Sequence, residues 1–485
     1  MTTTTTDEQQ GLARGKLGTF DIFFFVVAAA APLAVMAGAA PLAFRLGGIG
    51  AAGAYVFSGI VYILCAAGLT AFALYVRNAG AFYAFIGRGL GRPAGVGAAF
   101  VALLSYALIC GGFYGFFGFY AQTTFSDAFG LELHWSVYAL IAVAIVAFLG
   151  YRQIDIGARV LAVLMTLEVA ILVVLAVAVL VTEGTTNFSL EPFAPVNVFN
   201  AGSGGMFVLA LGAFIGFEGT AIYAEEARDP KRTVPRATYF AVGFLALFYG
   251  FIAWVAVAAM GVDGLTEFTL SDVFQGLYFM LAESYLGSWA VLVMGLLIVT
   301  SILAATIAFH NATSRYLFAL GRERILPAKL GRTHPRYRSP ALASMVTTIS
   351  SLVLIVVALV FNGDPYLHLL LWTNGVGIIG VVALQALCMV SVIAFFRRDR
   401  RGHGVFRVII APALGVVGLI IGLYLMLTNL DLLTGRTDWV NWALMGSLVV
   451  VAVAGVVWAI RNPAKHVDAS GEGQSSVESQ ASVED

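Results

Sequence analysis

Apolar residues in this chain do not alternate with polar ones, nor do they mark one stripe of a helix. They run nearly unbroken for about twenty positions at a time, the signature of helices apolar on every side. The runs fall at roughly 20–44, 49–76, 95–124, 134–150, 156–182 and 202–222, then at about 237–261, 287–320, 339–361, 366–396, 407–428 and 437–460. Most reach the ~20 residues that a helix needs to cross ~30 Å of hydrocarbon. The longer ones tilt or extend past the membrane face. A membrane β-barrel would instead show ~10-residue segments of alternating polarity, and stretches such as VVLAVAVLV (residues 173–181) do not alternate. The pattern predicts an all-α integral membrane protein with twelve transmembrane helices.

Composition agrees. Of 485 residues, 60% are hydrophobic and 11% charged, against about 25% charged in soluble domains. A net charge of zero hides an asymmetry. With the N-terminus inside, only Arg45 and Arg436 of the 27 Lys and Arg residues fall on the outer side. The excess of basic residues in cytoplasmic loops then predicts a plasma membrane protein with both termini cytoplasmic. The outer stretch 262–286 carries Asp263, Glu267, Asp272 and Glu283 with no Lys or Arg.

The first apolar stretch is too long for the core of a signal peptide and reads as a span. Residues 1–16 and 462–485 are polar and read as disordered cytoplasmic tails. Between them, 17–396 forms a ten-helix transport core and 397–461 supplies helices 11 and 12. Cys65, Cys110 and Cys388 lie far apart inside predicted helices, so neither a disulfide framework nor a metal site is expected.

Two spans carry concentrated helix breakers. Span 1 contains AAAAPLAVMAGAAPLAF (28–44), with Pro32 and Pro41 on either side of Val35–Ala40. Span 6 contains LALGAFIGFEGTA (209–221), with Gly212, Gly216 and Gly219 inside eight residues. The pair Gly212 and Gly216 also fits a close-packing motif between helices. Span 1 opens the first five helices and span 6 the next five, however. Interrupted segments at matching places in two halves point to a transporter site at a repeat interface. Broken half-helices offer free N–H groups to an anion and free carbonyls to a cation, a combination that matches a zwitterionic amino acid.

With those features in view, the sequence resembles the amino acid–polyamine–organocation (APC) transporter superfamily. FIGFEGTAIYAEEARDPKRTVPRA (214–237) is similar to its helix 6 signature, and NATSRYLFALGRERILP (311–327) to its segment at the end of helix 8. RNAGAFYAFIGRGLG (77–91) resembles its loop after helix 2. The resemblance implies a five-plus-five inverted repeat with the leucine-transporter-like fold and discontinuous helices 1 and 6. It also implies alternating access, with import or exchange of amino acids or amines. Carried over by position, the N–H groups of Ala37, Gly38 and Ala39 bind a substrate carboxylate. The carbonyls of Val35, Phe214 and Ile215 receive its ammonium, with Gly216 at the same break. Tyr106 and Cys110 form a wall from helix 3, and Phe309 is a gating aromatic of helix 8. Helix 1 lacks the usual Gly-Ser-Gly of the superfamily, and Gly212 stands where arginine/agmatine exchangers carry an aromatic lid.

Two carboxylates sit inside apolar runs. Glu168, in LMTLEVAIL (164–172), is mid-span where proton-coupled members carry a lysine that stands in for sodium. Glu218 follows the apolar stretch 206–217. Ionised groups there cost several kcal/mol and are functional by default, so both are expected to take up and release a proton. The alternative is a protonated glutamate acting as structural glue. Helix 8 also offers Thr300, Ser301 and Thr306, which suit sodium instead, and His310 is expected to be a packed residue.

These features predict a secondary transporter importing amino acids with protons. The alternatives are an amine or polyamine carrier, an exchanger, and, further off, a transporter-like sensor or channel. No metalloprotease, nucleophile-elbow or phosphate-loop motif is present, so neither an enzyme nor a cofactor is expected. The expected partners are the substrate, the proton and the lipid bilayer, without nucleic acid. No feature specifies an oligomeric state.

Overall fold

The computed structural model describes residues 17–76, 82–152, 158–200, 202–218, 220, 227–337 and 339–463. The acidic pair Glu225 and Glu226, the first part of the loop after helix 2, residues 1–16 and nearly all of the C-terminal tail lie outside them. Among the described residues the chain is helical and contains no named strand; one isolated bridge joins Leu17 to Ala227.

The order of elements repeats. The first half runs through a broken helix, α1 (Thr19–Ala30) and α2 (Ala40–Gly47), then α3 (Ala51–Phe72) and the short α4 (Phe82–Leu90). It continues with α5 (Arg92–Phe129), α6 (Trp135–Arg152) and α7 (Ala158–Glu183). The second half runs through α8 (Ser203–Gly212) and its break, α9 (Pro230–Leu270), the short α10 (Leu277–Leu286) and α11 (Ser288–Arg322). It closes with α12 (Ala341–Val360) and α13 (Thr373–Arg398). Corresponding helices match in length: 38 and 35 residues for α5 and α11, 18 and 20 for α6 and α12, 26 and 26 for α7 and α13. Each half carries five spans, an odd number, so the second enters from the opposite side and the repeat is inverted. The corresponding pairs α3 and α9, α5 and α11, and α6 and α12 pack on one another. Gly59 shows how close they come: a Cβ there would lie 2.3 Å from Cβ of Ala246.

Two further helices, α14 (Ala411–Thr428) and α15 (Trp439–Arg461), complete the fold. Trp439 and Trp442 of α15 are 74% and 72% exposed, as expected of a lipid-facing helix with aromatic residues at the interface. The count of twelve separate spans is not reproduced. Ten stretches among the described residues are long and apolar enough to cross a membrane. Thr19–Phe72 forms one such stretch of 54 residues, covering the first two expected spans, and Ser203–Gly212 is too short to qualify. The sixth span falls short because its helix stops at the break rather than at the membrane face.

Helix 1 breaks differently from expectation. Ala31 ends α1 in the left-handed region at φ 47°, and Pro32 cannot donate a backbone bond across the gap. Instead of unwinding at 37–39, the chain then forms one π-helical turn, Ala34–Ala39, in which the N–H of Ala40 reaches the carbonyl of Val35. Alanine in place of glycine favours helical dihedrals, and the bond lost at Pro32 is absorbed by widening the turn. Single π turns of this kind recur at functional sites.

Candidate functional site

The carbonyls exposed by the break in helix 1 are covered by tyrosines from distant helices. Tyr366 donates its hydroxyl to Gly38 O at 2.7 Å, and Tyr120 donates to Ala37 O at 3.3 Å. Tyr249 donates to Ala30 O at 3.1 Å, next to the left-handed Ala31. Tyr366 is held in place by Asp364, whose carboxylate accepts the N–H groups of Tyr366 (2.8 Å) and Leu367 (2.6 Å) at the start of helix 10. Gly38 is pressed against Phe116; an added Cβ would meet Cζ of that ring at 2.5 Å.

The break in helix 6 follows α8 at once. Residues 213–218 form turns, and Gly216 takes φ +110°, open to glycine and strained for any other residue. This conformation turns the chain back so that Glu218 caps it: Glu218 Oε2 accepts the Gly216 N–H at 3.1 Å. The other carboxylate oxygen accepts the Tyr106 hydroxyl at 2.5 Å, and Gln385 Nε2 approaches Oε2 at 3.4 Å. Tyr62 donates to Gln385 Oε1 at 2.8 Å and reaches Leu211 O at 3.3 Å. Its ring stacks on Phe214 with centroids 5.2 Å apart. Glu218 is 2% exposed. A buried charge is tolerated only when paired or hydrogen-bonded, and those bonds come from three spans, with Tyr62 of a fourth holding Gln385.

A cavity of about 50 Å³ opens beside it, lined by Phe25, Ala29, Tyr106, Glu218, Phe309 and Arg315, among others. Phe309 stacks on Phe113 at 5.3 Å and 23°. Phe25 and Ala29 precede the helix 1 break, and Arg315 lies toward the end of α11. The cavity therefore extends toward the N-terminal side of helix 1. On the opposite side, Phe116, Tyr120 and Tyr366 close over Gly38.

Glu168 occupies a second, separate network. Its Oε2 accepts the Ser301 hydroxyl at 2.6 Å. It thus ties helix 5 to helix 8. Among the described residues the two carboxylates share no hydrogen-bond partner.

The comparison with known proteins settles what this arrangement belongs to. Residues 17–459 match the amino acid permease family. The chain belongs to the amino acid permease family. Family members are transporters, not enzymes. A branched-chain amino acid permease of Bacillus subtilis is 24% identical over 64% of this chain and 62% of its own. An L-lysine transport protein of Corynebacterium glutamicum is 25% identical over 32% of this chain and 29% of its own. An uncharacterized transporter of Mycobacterium tuberculosis is 30% identical over 28% of this chain and 29% of its own. The chain thus spans less than two thirds of the length of each of these three relatives.

Within the permease, Tyr106, Phe309, Gly216 and Glu218 come together around the cavity. Ala37 and Gly38 sit at the opposite break, where tyrosine hydroxyls already occupy their carbonyls. The Val35 carbonyl accepts the Ala40 N–H and the Phe214 carbonyl accepts the Phe217 N–H at 3.2 Å, so both are engaged within their own turns. Ala39 ends the π turn, and Ile215 donates its N–H to Gly212 O at 3.0 Å. Cys110 does not join the cavity wall; its sulfur accepts the Ser351 hydroxyl at 3.8 Å on α12. His310 is the packed residue expected, bonded through Nε2 to Ser344 Oγ at 2.9 Å. Tyr62, Gln385, Tyr120 and Tyr366 were not singled out from sequence. Gln385 alone carried a signal, as a polar amide in the middle of an apolar span.

Proposed function

We propose that this permease imports amino acids across the plasma membrane together with protons, by alternating access between the breaks of helices 1 and 6. The observation that carries this reading is Glu218: a buried carboxylate, bonded by Tyr106 at 2.5 Å, on the wall of the cavity. A proton arriving there removes the charge that Tyr106, Gly216 and Gln385 now stabilise, and so loosens the contacts between helices 3, 6 and 10. Glu168 adds a second titratable tie, between helix 5 and helix 8. Ser301 is already bonded to Glu168, while Thr300 and Thr306 donate to carbonyls of their own helix, which favours the proton over sodium as the coupling ion.

The substrate class follows from backbone chemistry and from the relatives, whose names include branched-chain amino acid permease, lysine transport protein and cationic amino acid transporter. The α-amino and α-carboxyl groups common to these substrates suit a site between broken helices 1 and 6, whose ends carry partial charges of both signs. The basic segments at 228–236, 315–338 and 397–407 support a cytoplasmic position for both termini; in that orientation the cavity faces the cytoplasm and this state is the one that releases substrate. Residues 17–396 form the transport core, with α14 and α15 outside it.

Uptake of labelled branched-chain amino acids and lysine into proteoliposomes, with and without an imposed inward proton gradient, tests the reading. Accumulation above the equilibrium level only with the gradient is expected. Accumulation of putrescine, with no amino acid competing, would establish an amine carrier instead.

A further inference from the structure

The connection between α13 and α14 holds a group of side chains that plays no part in the transport site. Arg397, Arg398, Arg400, Arg401 and Arg407 follow one another with Asp399 as the lone acidic residue among them. Two of the five are fixed in place. The Arg401 guanidinium lies over the rings of Tyr75 and Phe395, at 4.7 and 4.9 Å from their centroids. Arg407 donates through Nη2 to Thr70 Oγ1 at 3.4 Å. Between them, His403 Nε2 is bonded to the Tyr75 hydroxyl at 3.0 Å. Burial, and after it the neighbouring Arg407 charge, hold the His403 ring below the ordinary histidine range.

The surface beside this group is apolar. Val405 and Phe406 are exposed, Phe406 by 61%, at the turn that leads into α14. Ile410 and Leu414 continue the exposed row along the outer face of that helix, at steps of four residues, about one helical turn each. A cationic cluster at the membrane face that continues into an apolar stripe along a spanning helix matches an amphiphile, with its phosphate against the guanidinium groups and an acyl chain along the stripe. Free phosphate would use the first part and leave the second without purpose. Clustered Arg residues next to a span attract anionic lipid at about 1 kcal/mol each, and a guanidinium held flat on aromatic rings loses little freedom when it binds.

We propose that Arg401 and Arg407, with Tyr75 and the exposed Phe406 stripe, form a binding site for an anionic phospholipid. A lipid seated there bridges the end of α3, through Tyr75 and Thr70, to α13 and α14, and so braces helix 2 against the outer helices.

Thermal unfolding of the full-length permease in detergent tests this, because a ligand that binds the folded state raises its midpoint. Phosphatidylglycerol, phosphatidylcholine and inorganic phosphate are compared on the wild type, on R401Q/R407Q and on R401K, with the exposed R324Q as a control for general charge loss. Phosphatidylglycerol is expected to raise the wild-type and R324Q midpoints well above phosphatidylcholine, and R401Q/R407Q is expected to lose at least half of that shift. R401K keeps the charge and most of the shift, so it reads out the site even if the double variant is poorly folded. An equal phosphatidylglycerol shift in wild type and R401Q/R407Q, or loss of the shift in R324Q to the same degree, overturns the proposal. So does an equal shift with inorganic phosphate, which would mark a simple anion site.

Discussion

Tyr106 of α5 donates its hydroxyl to Glu218 at 2.5 Å, across the junction between helix 3 and the broken helix 6. The bond joins the residue with the strongest motif signal in the chain to a wall residue of the cavity. Replacing Tyr106 by Phe keeps the ring against Tyr316 and Phe309 but leaves a buried carboxylate oxygen without its donor. Losing a hydrogen bond to a charged group costs ~1.5–3 kcal/mol. Uptake by Tyr106→Phe is therefore expected to fall about ten-fold or more, measured as initial rates in proteoliposomes, with the protein still folded.

Gly38 has no room for a methyl group, because Phe116 Cζ would stand 2.5 Å from it. Gly38→Ala should abolish transport, and trimming the opposing ring, in Gly38→Ala/Phe116→Ala, should restore part of it. Rescue read in a double-mutant cycle separates this steric origin from a loss of backbone flexibility, which trimming Phe116 would not repair.

Ala31 sits in the left-handed region at φ 47°, where a side chain costs ~1–2 kcal/mol. Glycine removes that strain while loosening the unfolded chain, so Ala31→Gly should unfold within a degree or two of wild type. Ala31→Val puts a β-branched side chain at a position with positive φ and should lower the midpoint clearly, by several degrees. Equal stability of the two variants would show that the turn is not constrained as described.

Cys65, Cys110 and Cys388 are all buried, so wild-type permease should react slowly with a charged thiol reagent. Asn311 lines the cavity beside Glu218. Asn311→Cys should be labelled rapidly from the cytoplasmic face and slowly from outside, with excess substrate slowing the reaction. Fast labelling from outside alone would reverse both the assigned orientation and the assigned state.

How much of this could be read from sequence depends on how local the signal was. The spans, the two breaks and Glu218 were legible because each is written in a short stretch: apolar runs, prolines, clustered glycines, one carboxylate in lipid. The break in helix 1 was placed slightly wrong, since proline and alanine together produce a left-handed residue and a π turn rather than an unwound strand. Tyr106 and Phe309 line the cavity beside Glu218, and Cys110 does not. A residue four positions on is rotated by roughly 40° around a helix, enough to turn its sulfur toward α12, whereas Phe113, seven positions on, keeps the face of Tyr106. The covering tyrosines and Gln385 were not legible as partners. Tyr366 lies 328 residues from Gly38, and Gln385 lies 167 from Glu218. Nothing short of the packed fold brings them together.

In the proposed cycle Glu218 carries the coupled proton. Substrate-driven proton influx, followed with a pH-sensitive dye trapped in proteoliposomes, measures this directly for wild type, Glu218→Gln and Glu168→Gln. Amino acid addition is expected to acidify the wild-type lumen. In Glu218→Gln that acidification should disappear while exchange of internal for external amino acid continues. Undiminished substrate-driven acidification in Glu218→Gln would contradict it.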